Sequence, residues 1–249
     1  MTPAAPRGRR TEPTRLSHVL VGTSGYSYPA WRGTFYPEEL SAREMLGFYA
    51  RRLGTVEINY TFQRFPTPEL LAGWARQTPP GFRFALKAPQ RITHQLRLRD
   101  ASEPVQRFCQ VAATLGQKLG PLLFQLPPYL RFDPERLAAF LEQLPPGASP
   151  AFEFRDASWF RDETFAALSS HRAALCIADS EALTTPFVAT APFGYLRLRR
   201  TDYTEADLDA WAARVREARG WKRVYAYFKH EESGRGPALA RALLDRLGG

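Results

Sequence analysis

Cysteine is nearly absent from this 249-residue chain: Cys109 and Cys176 are the only two, each alone among apolar neighbours. They supply neither a disulfide framework nor the paired spacing of a zinc site, and a reducing cytoplasm is the compartment that such usage fits. Histidine is just as sparse. His18, His94, His171 and His230 never cluster, so a transition-metal site would have to draw on His94, His230 and distant carboxylates. No metal and no other cofactor is expected. No run approaches the ~20 apolar residues of a membrane helix. The Arg- and Pro-rich first 15 residues have no apolar centre and do not read as a secretory signal. Lysine is the third scarcity: of 34 basic residues, Lys87, Lys118, Lys222 and Lys229 are the lysines, leaving 30 arginines.

What is present describes one folded body. Hydrophobic residues make up 44% and aromatics 13%, enough for a large core. The net charge is +9, of which residues 1–15 carry +3 (four Arg against Glu12), so +6 is spread over the remaining chain. That dilution makes nucleic acid the less favoured partner and a small anionic substrate the favoured one. Residues 1–17 are expected to form a basic disordered tail and 18–249 a single domain.

A β-rich run followed by an amphipathic stretch recurs about every 30 residues. The strand candidates are 18–23, 55–59, 82–87, 122–126, 151–155, 174–179, 194–198 and 223–228. Between them lie helix starts with a chemical reason. Ser41-x-x-Glu44 and Thr204-x-x-Asp207 have capping-box spacing, and Thr67-Pro68 and Asp133-Pro134 place a capping residue before a helix-opening proline. Residues 102–118 and 238–247 also show helical spacing. Residues 180–193, with Pro186 and Pro192, are too short for a full helix, so the helix between strands six and seven is short or missing. Eight strands alternating with helices over this length predict an α/β fold, a single-domain (β/α)8 TIM barrel. An open doubly wound sheet would bring a glycine fingerprint after strand one. Gly22-Thr23-Ser24-Gly25 is neither that fingerprint, a P-loop nor a nucleophile elbow.

Gly22-Thr23-Ser24-Gly25-x-x-Tyr28-x-x-Trp31, Phe35-Tyr36-Pro37 and Val56-Glu57-Ile58-Asn59-x-Thr61-Phe62 form an ordered set of motifs. It continues through Lys87, Ile92-Thr93-His94, Gln125-Leu126-Pro127-Pro128, Phe152-Glu153-Phe154-Arg155, Ser158-Trp159, Tyr195-Leu196-Arg197 and Tyr225-Ala226-Tyr227-Phe228. In these motifs the chain resembles the YecE-like family of uncharacterised TIM-barrel proteins over about residues 18–248. The resemblance implies a (β/α)8 barrel and no particular reaction. Two positions depart from the family pattern: Tyr26 stands for a commoner Trp, and Arg199-Arg200 for a common His-Gly.

Strand alternation selects the candidate site. Successive side chains face opposite sides, and the apolar set must meet the helices. Glu57 and Asn59 then oppose Val56 and Ile58; Lys87 opposes Phe84 and Leu86; Glu153 and Arg155 oppose Phe152 and Phe154. Arg197 and Arg199 oppose Leu196 and Leu198, and Tyr227 and Lys229 oppose Ala226 and Phe228. Gln125 and Asp179 are expected at equivalent places on strands four and six. These side chains point into the barrel near the strands' C-terminal ends, where TIM-barrel sites lie. Glu57, Glu153, Lys87 and His94 are the candidate catalytic residues. Lysine, unlike arginine, can release its proton when desolvated, and two of the four lysines fall at strand ends. Asn59, Gln125, Arg155, Asp179, Arg197, Tyr227, Trp31 and Trp159 are the candidate binding residues, the two tryptophans as rings on which a sugar or base could stack. Lys87, Arg91, His94, Arg97 and Arg99 make a cationic loop after strand three.

The reading this favours is a metal-independent enzyme using acid/base chemistry on a small sugar- or phosphate-like anion. The alternatives are a nucleic-acid binding or phosphodiesterase-like protein, a glycosidase with Glu57 and Glu153 as its carboxyl pair, and a non-catalytic ligand-binding barrel. The inward charges also admit a purely structural role, as buried ion pairs tying the barrel together.

Overall fold

The computed structural model describes residues 18–248, so the expected basic tail lies outside the described residues. The strands are β1 (Val19–Ser24), β2 (Thr55–Ile58), β3 (Arg83–Lys87), β4 (Leu119–Gln125), β5 (Pro150–Glu153), β6 (Ala174–Asp179), β7 (Phe193–Leu198) and β8 (Arg223–Phe228). All pair in parallel in chain order, and β8 closes onto β1, giving a (β/α)8 barrel. β4 begins three residues earlier than the sequence pattern suggests, because Leu119 already pairs beside Phe84.

The sheet divides two cores. Outside it, Val56, Ile58, Phe84, Leu86, Phe152, Leu196 and Val224 pack against the helices. Inside it, Ala85, Leu123, Ala151, Ala174, Cys176, Tyr195, Tyr225 and Tyr227 fill the lumen. Small residues from β3, β5 and β6 leave room for the tyrosines of β7 and β8, so the barrel is packed rather than hollow.

The helices are α1 (Met45–Ala50), α2 (Tyr60–Gln63), α3 (Pro68–Arg76), α4 (Ser102–Ala112), α5 (Pro134–Glu142), α6 (Asp162–Ser170), α7 (Glu205–Glu217) and α8 (Arg235–Leu247). Thr67 and Asp133 cap α3 and α5 by accepting from the Leu70 and Arg136 amides. Thr204 and Asp207 complete a capping box on α7. Ser41 and Glu44 do bond to each other, but they close the turn before α1 rather than its first helical turn. α4 ends at Ala112, and 3-10 turns run on to Lys118 across Gly116 at φ 54°.

Residues 180–192 hold no helix, as the prolines require. The segment lies back against β6 instead. Thr190 Oγ1 accepts from the Leu175 amide and donates to the Ala173 carbonyl. Phe187 packs on Trp211 and Trp221. Side-chain contacts thus cover the outer face that a helix covers elsewhere.

At the seam between β1 and β2 the Tyr49 hydroxyl bridges both strands. It accepts from the Thr23 amide and donates to the Thr55 carbonyl, each at 2.9 Å. Gly22 leaves no room beside this bridge: a Cβ there would lie 2.0 Å from the Thr55 carbonyl oxygen and 2.9 Å from the Tyr49 hydroxyl. Gly22→Ala is therefore expected to destabilise by about 3 kcal/mol, the upper end of ordinary overpacking. Urea denaturation measures it, and a loss below about 1 kcal/mol would show that the seam adjusts freely.

Candidate functional site

Three charged side chains, Glu57, Glu153 and Arg197, turn inward at the C-terminal ends of β2, β5 and β7 and meet in the lumen. Arg197 donates to Glu57 Oε1 from Nε (3.2 Å) and Nη2 (2.8 Å), and to Glu153 Oε2 from Nη1 (2.5 Å). The remaining oxygens are also occupied. Ser24 Oγ donates to Glu57 Oε1 and Tyr195 to Glu57 Oε2, while Gln125 Nε2 donates to Glu153 Oε2 and Arg199 to Glu153 Oε1. Burial alone would raise both carboxyls. Arg197, with these donors, outweighs it: Glu57 is held below the usual carboxylate range and Glu153 is brought down to about 2. Arg197 in turn is held firmly protonated by the two carboxylates against its own burial.

Lys87 is placed differently. It ends β3, and its backbone carbonyl is held by the buried Thr61 hydroxyl at 2.6 Å. Its ammonium donates to Gln125 Oε1 at 2.8 Å and lies 3.9 Å from the centre of the Phe62 ring. No carboxylate among the described residues pairs with it. Gln125 gives its amide nitrogen to Glu153 and so turns its oxygen to Lys87, which meets the anion only through a neutral amide. Burial, and then Arg197, bring the Lys87 pKa down to about 8, against weaker support from Glu57 and Glu153.

Around this centre stand further cations. His94, in the turn Arg91–Gln95, bonds Thr93 through Nδ1 and rests against Phe62, the ring that also carries Lys87. Burial, Lys87 and Arg155 lower its pKa. Arg199 is depressed by burial and by Arg197 and Arg155, although Glu153 opposes them. Lys229 is depressed by burial and by Arg199 and Arg197. Just beyond His94, Arg97, Leu98 and Asp100 all adopt positive φ (53°, 67° and 46°), a costly conformation for residues other than glycine and one concentrated at functional sites.

The sequence-derived candidates divide accordingly. Glu57, Glu153, Lys87, Gln125 and Arg197 converge in the lumen, and Asn59 joins them by donating to Ser24 Oγ at 2.7 Å. Asp179 does not. Ala174 and Cys176 are the lumen residues of β6, so Asp179 falls on the outer face, where it accepts from Tyr203 and Trp211 and pairs with Arg200. Arg155 lies past the end of β5 and is exposed; only its charge reaches the site. Tyr227 is fully buried, bonding Thr55 beneath the mouth, and offers nothing to a ligand. Trp31 and Trp159 are also fully buried. Trp31 packs among Tyr28, Phe35 and Tyr36, and Trp159 stacks on Phe154 while donating to the Leu130 carbonyl, so neither presents a stacking face. Of the cationic loop, Arg91, Arg97 and Arg99 are exposed, and only Lys87 and His94 face the mouth. Ser24, Tyr195 and Arg199 were given no catalytic or binding role, Arg199 being read only as inward-facing, although they ligate the two carboxylates. Tyr195 and Arg199 share the inward face with Arg197, which is the signal that could have found them. Among the described residues no three His, Cys, Asp or Glu side chains group as a metal site would need. No helix among them is long and apolar enough to cross a membrane.

Comparison with known proteins finds relatives along the whole barrel. The family model described as "Protein of unknown function DUF72" matches residues 20–249. The chain is 33% identical to the UPF0759 protein YecE of Escherichia coli (strain K12) over 147 residues, 57% of this chain and 50% of YecE. It is 28% identical to the UPF0759 protein YunF of Bacillus subtilis (strain 168) over 152 residues, 57% of this chain and 52% of YunF. It thus spans about half the length of the curated relatives it matches. The crystal structure of a DUF72 family protein from Thermotoga maritima superposes with a TM-score of 0.83 at 28% identity, covering 93% of this chain and 100% of that one.

The geometry separates two roles by stability. Arg197→Ala strands two buried carboxylates and is expected to lose about 3–5 kcal/mol in denaturant melts; a loss under about 1 kcal/mol would mean the clamp is dispensable. Lys87→Met, which removes a buried and unpaired charge, is expected to leave stability unchanged or raise it at pH 7. The pH dependence follows. The folded pKa of Lys87 lies near 8, below the ordinary value of 10.5. Between these values the unfolded chain binds more protons, so wild-type stability gains from Lys87 as pH rises through this window, by up to about 3 kcal/mol. Lys87→Met should lack that gain, and parallel stability curves for the two proteins from pH 7 to 10.5 would contradict it.

Proposed function

We propose, for a chain that belongs to the DUF72 family of proteins of unknown function, that the C-terminal mouth of the barrel binds a small anion and acts on it by acid/base chemistry without a metal. The observation that carries this reading is the crowding of cations at the mouth around Lys87, whose ammonium bonds the neutral Gln125 amide and no carboxylate. Burial lowers His94, Arg199 and Lys229, and repulsion from neighbouring cations adds to it, although Glu153 opposes it at Arg199. Both carboxylates of the lumen are already bonded, Glu57 to Arg197 and Glu153 to Arg197 and Arg199. An anionic group entering the mouth relieves that repulsion, and a sugar phosphate or carboxylate supplies it.

Within this reading Glu57 and Glu153 are fixed anions rather than proton carriers, since their oxygens are occupied and both stay ionised at neutral pH. A glycosidase needs one carboxyl kept protonated, which neither provides. Lys87 and His94, which both approach the Phe62 ring, carry the proton transfers: burial brings the lysine down to about 8 and favours the neutral, proton-accepting imidazole. A second reading, a single-stranded phosphodiester, is favoured by Tyr129, 63% exposed on the loop after β4 with its hydroxyl 3.4 Å from the His94 carbonyl.

Calorimetric titration with phosphate and sulfate tests the anion site. Saturable binding is expected, with Arg199→Ala weakening it by about 1.5–3 kcal/mol, as for loss of a charge-assisted hydrogen bond. Lys229→Ala should weaken it less. Absence of binding at millimolar anion, or an unchanged affinity in Arg199→Ala, would contradict the site. Binding of an oligonucleotide but not of free phosphate would favour the second reading.

A further inference from the structure

Lys87 stands apart from the other charges of the lumen. Glu57, Glu153 and Arg197 are 0%, 1% and 2% exposed, whereas Lys87 retains 9%. It is also the one charged group of that set with no opposite charge bonded to it. Its nitrogen donates to an amide oxygen, a bond that a neutral amine can also make, though an ammonium makes it more strongly. Its other near neighbour is the face of the Phe62 ring, which attracts an ammonium but carries no charge and no hydrogen-bond donor to occupy a nitrogen lone pair. The carboxylate that would ordinarily hold a buried lysine charged is one residue away, behind Gln125, and is clamped by two arginines.

From this geometry we infer that Lys87 is a Schiff-base nucleophile, and that the substrate is an anion carrying an aldehyde or ketone carbon. The inference rests on the anion-site reading above and narrows its substrate class. The neutral Lys87 nitrogen attacks the carbonyl carbon. A carbon–nitrogen bond forms, the carbonyl π pair moves to oxygen, the oxygen takes up a proton and the nitrogen releases one. The hydroxyl of this carbinolamine then accepts a second proton and leaves as water, while the nitrogen lone pair forms the C=N bond, and the nitrogen's remaining proton is released in place of the one consumed. Amine and carbonyl give imine and water, with no oxidant or reductant consumed. His94, against the same Phe62 ring, carries protons between these oxygen and nitrogen atoms. The anionic group of the substrate is held by Arg199 and Lys229 on the other side of the mouth. The lowered pKa of Lys87, set by burial and Arg197 against Glu57 and Glu153 with Lys229 adding to the lowering, agrees with this role. At about pH 7.5 it leaves on the order of a hundredfold more neutral amine than an ordinary lysine has.

The four lysines make the test clean, because Lys118, Lys222 and Lys229 are internal controls. The protein is incubated with glyoxylate, or separately with dihydroxyacetone phosphate, and cyanoborohydride, which traps an imine as a secondary amine. Peptide mass spectrometry then locates and times the adducts. Lys87 is expected to be labelled at least about tenfold faster than Lys222 at near-neutral pH, with Lys87→Arg, which keeps the charge, abolishing the fast label while circular dichroism confirms a folded protein. Labelling spread evenly over exposed lysines, or centred on Lys229, would overturn the inference. Adding phosphate separates the two ideas. A fast Lys87 label slowed by phosphate supports both, and one unaffected by phosphate supports the nucleophile but not the anion site. Phosphate binding by calorimetry without any fast Lys87 label overturns the nucleophile and leaves the anion site standing.

Discussion

One guanidinium between two carboxylates, Arg197 between Glu57 and Glu153, sets the terms for everything at the mouth of this barrel. Each of these charges would destabilise the fold by several kcal/mol if buried alone. Bonded together, and finished by Ser24, Tyr195, Gln125 and Arg199, they form a unit in which every carboxylate oxygen and every Arg197 nitrogen has a partner. Because both carboxylates are committed to it, Lys87 and Lys229 have no carboxylate bonded to them among the described residues. The excess positive charge of the mouth is thus a consequence of how the clamp is built.

The layer beneath explains why the clamp sits where it does. Tyr195 and Tyr227, 5.3 Å apart, fill the lumen below it, with Ala85, Ala151 and Cys176 leaving the space they need. The tyrosines close the lumen to water from below, and the Tyr195 hydroxyl orients Glu57. Gln125 then does for Lys87 what a carboxylate would not. It fixes the nitrogen in place without fixing its charge. Structural pairing and proton exchange are assigned to neighbouring side chains, which removes the conflict between them.

Much of this was legible in the sequence, and the failures have specific causes. Alternation placed Glu57, Lys87, Glu153 and Arg197 in the lumen because their strands carry large apolar side chains on the other face. β6 reads Ala-Leu-Cys-Ile-Ala-Asp, with no polar partner until its last residue, so its phase was not evident. Leu175 and Ile177, the bulky members, mark the outer face, and Asp179 shares their parity. Arg155 has the inward parity, but β5 ends at Glu153, and alternation no longer governs a residue beyond the ladder. Trp31 and Trp159 do follow strand ends, but apart from Phe154 the aromatic residues that bury them, Tyr28, Phe35, Tyr36 and Phe132, come from loops whose paths no periodicity reveals. Ser24 lies one residue past the first strand as read from the pattern. The partitioning of Arg197 into the structure rather than toward a ligand depends on side-chain distances, which sequence does not carry.

The central claim is that Lys87 is an uncompensated cation whose charge changes near neutral pH, and a direct titration of its side-chain nitrogen by NMR tests it. With four lysines in the chain, each signal can be followed separately, and Lys87→Arg assigns the one that disappears. The account predicts that this signal titrates near pH 8, at least about two units below an ordinary lysine, while the exposed Lys222 serves as reference. A Lys87 midpoint above pH 10 would show that the ammonium is held by a charge partner and would contradict the account.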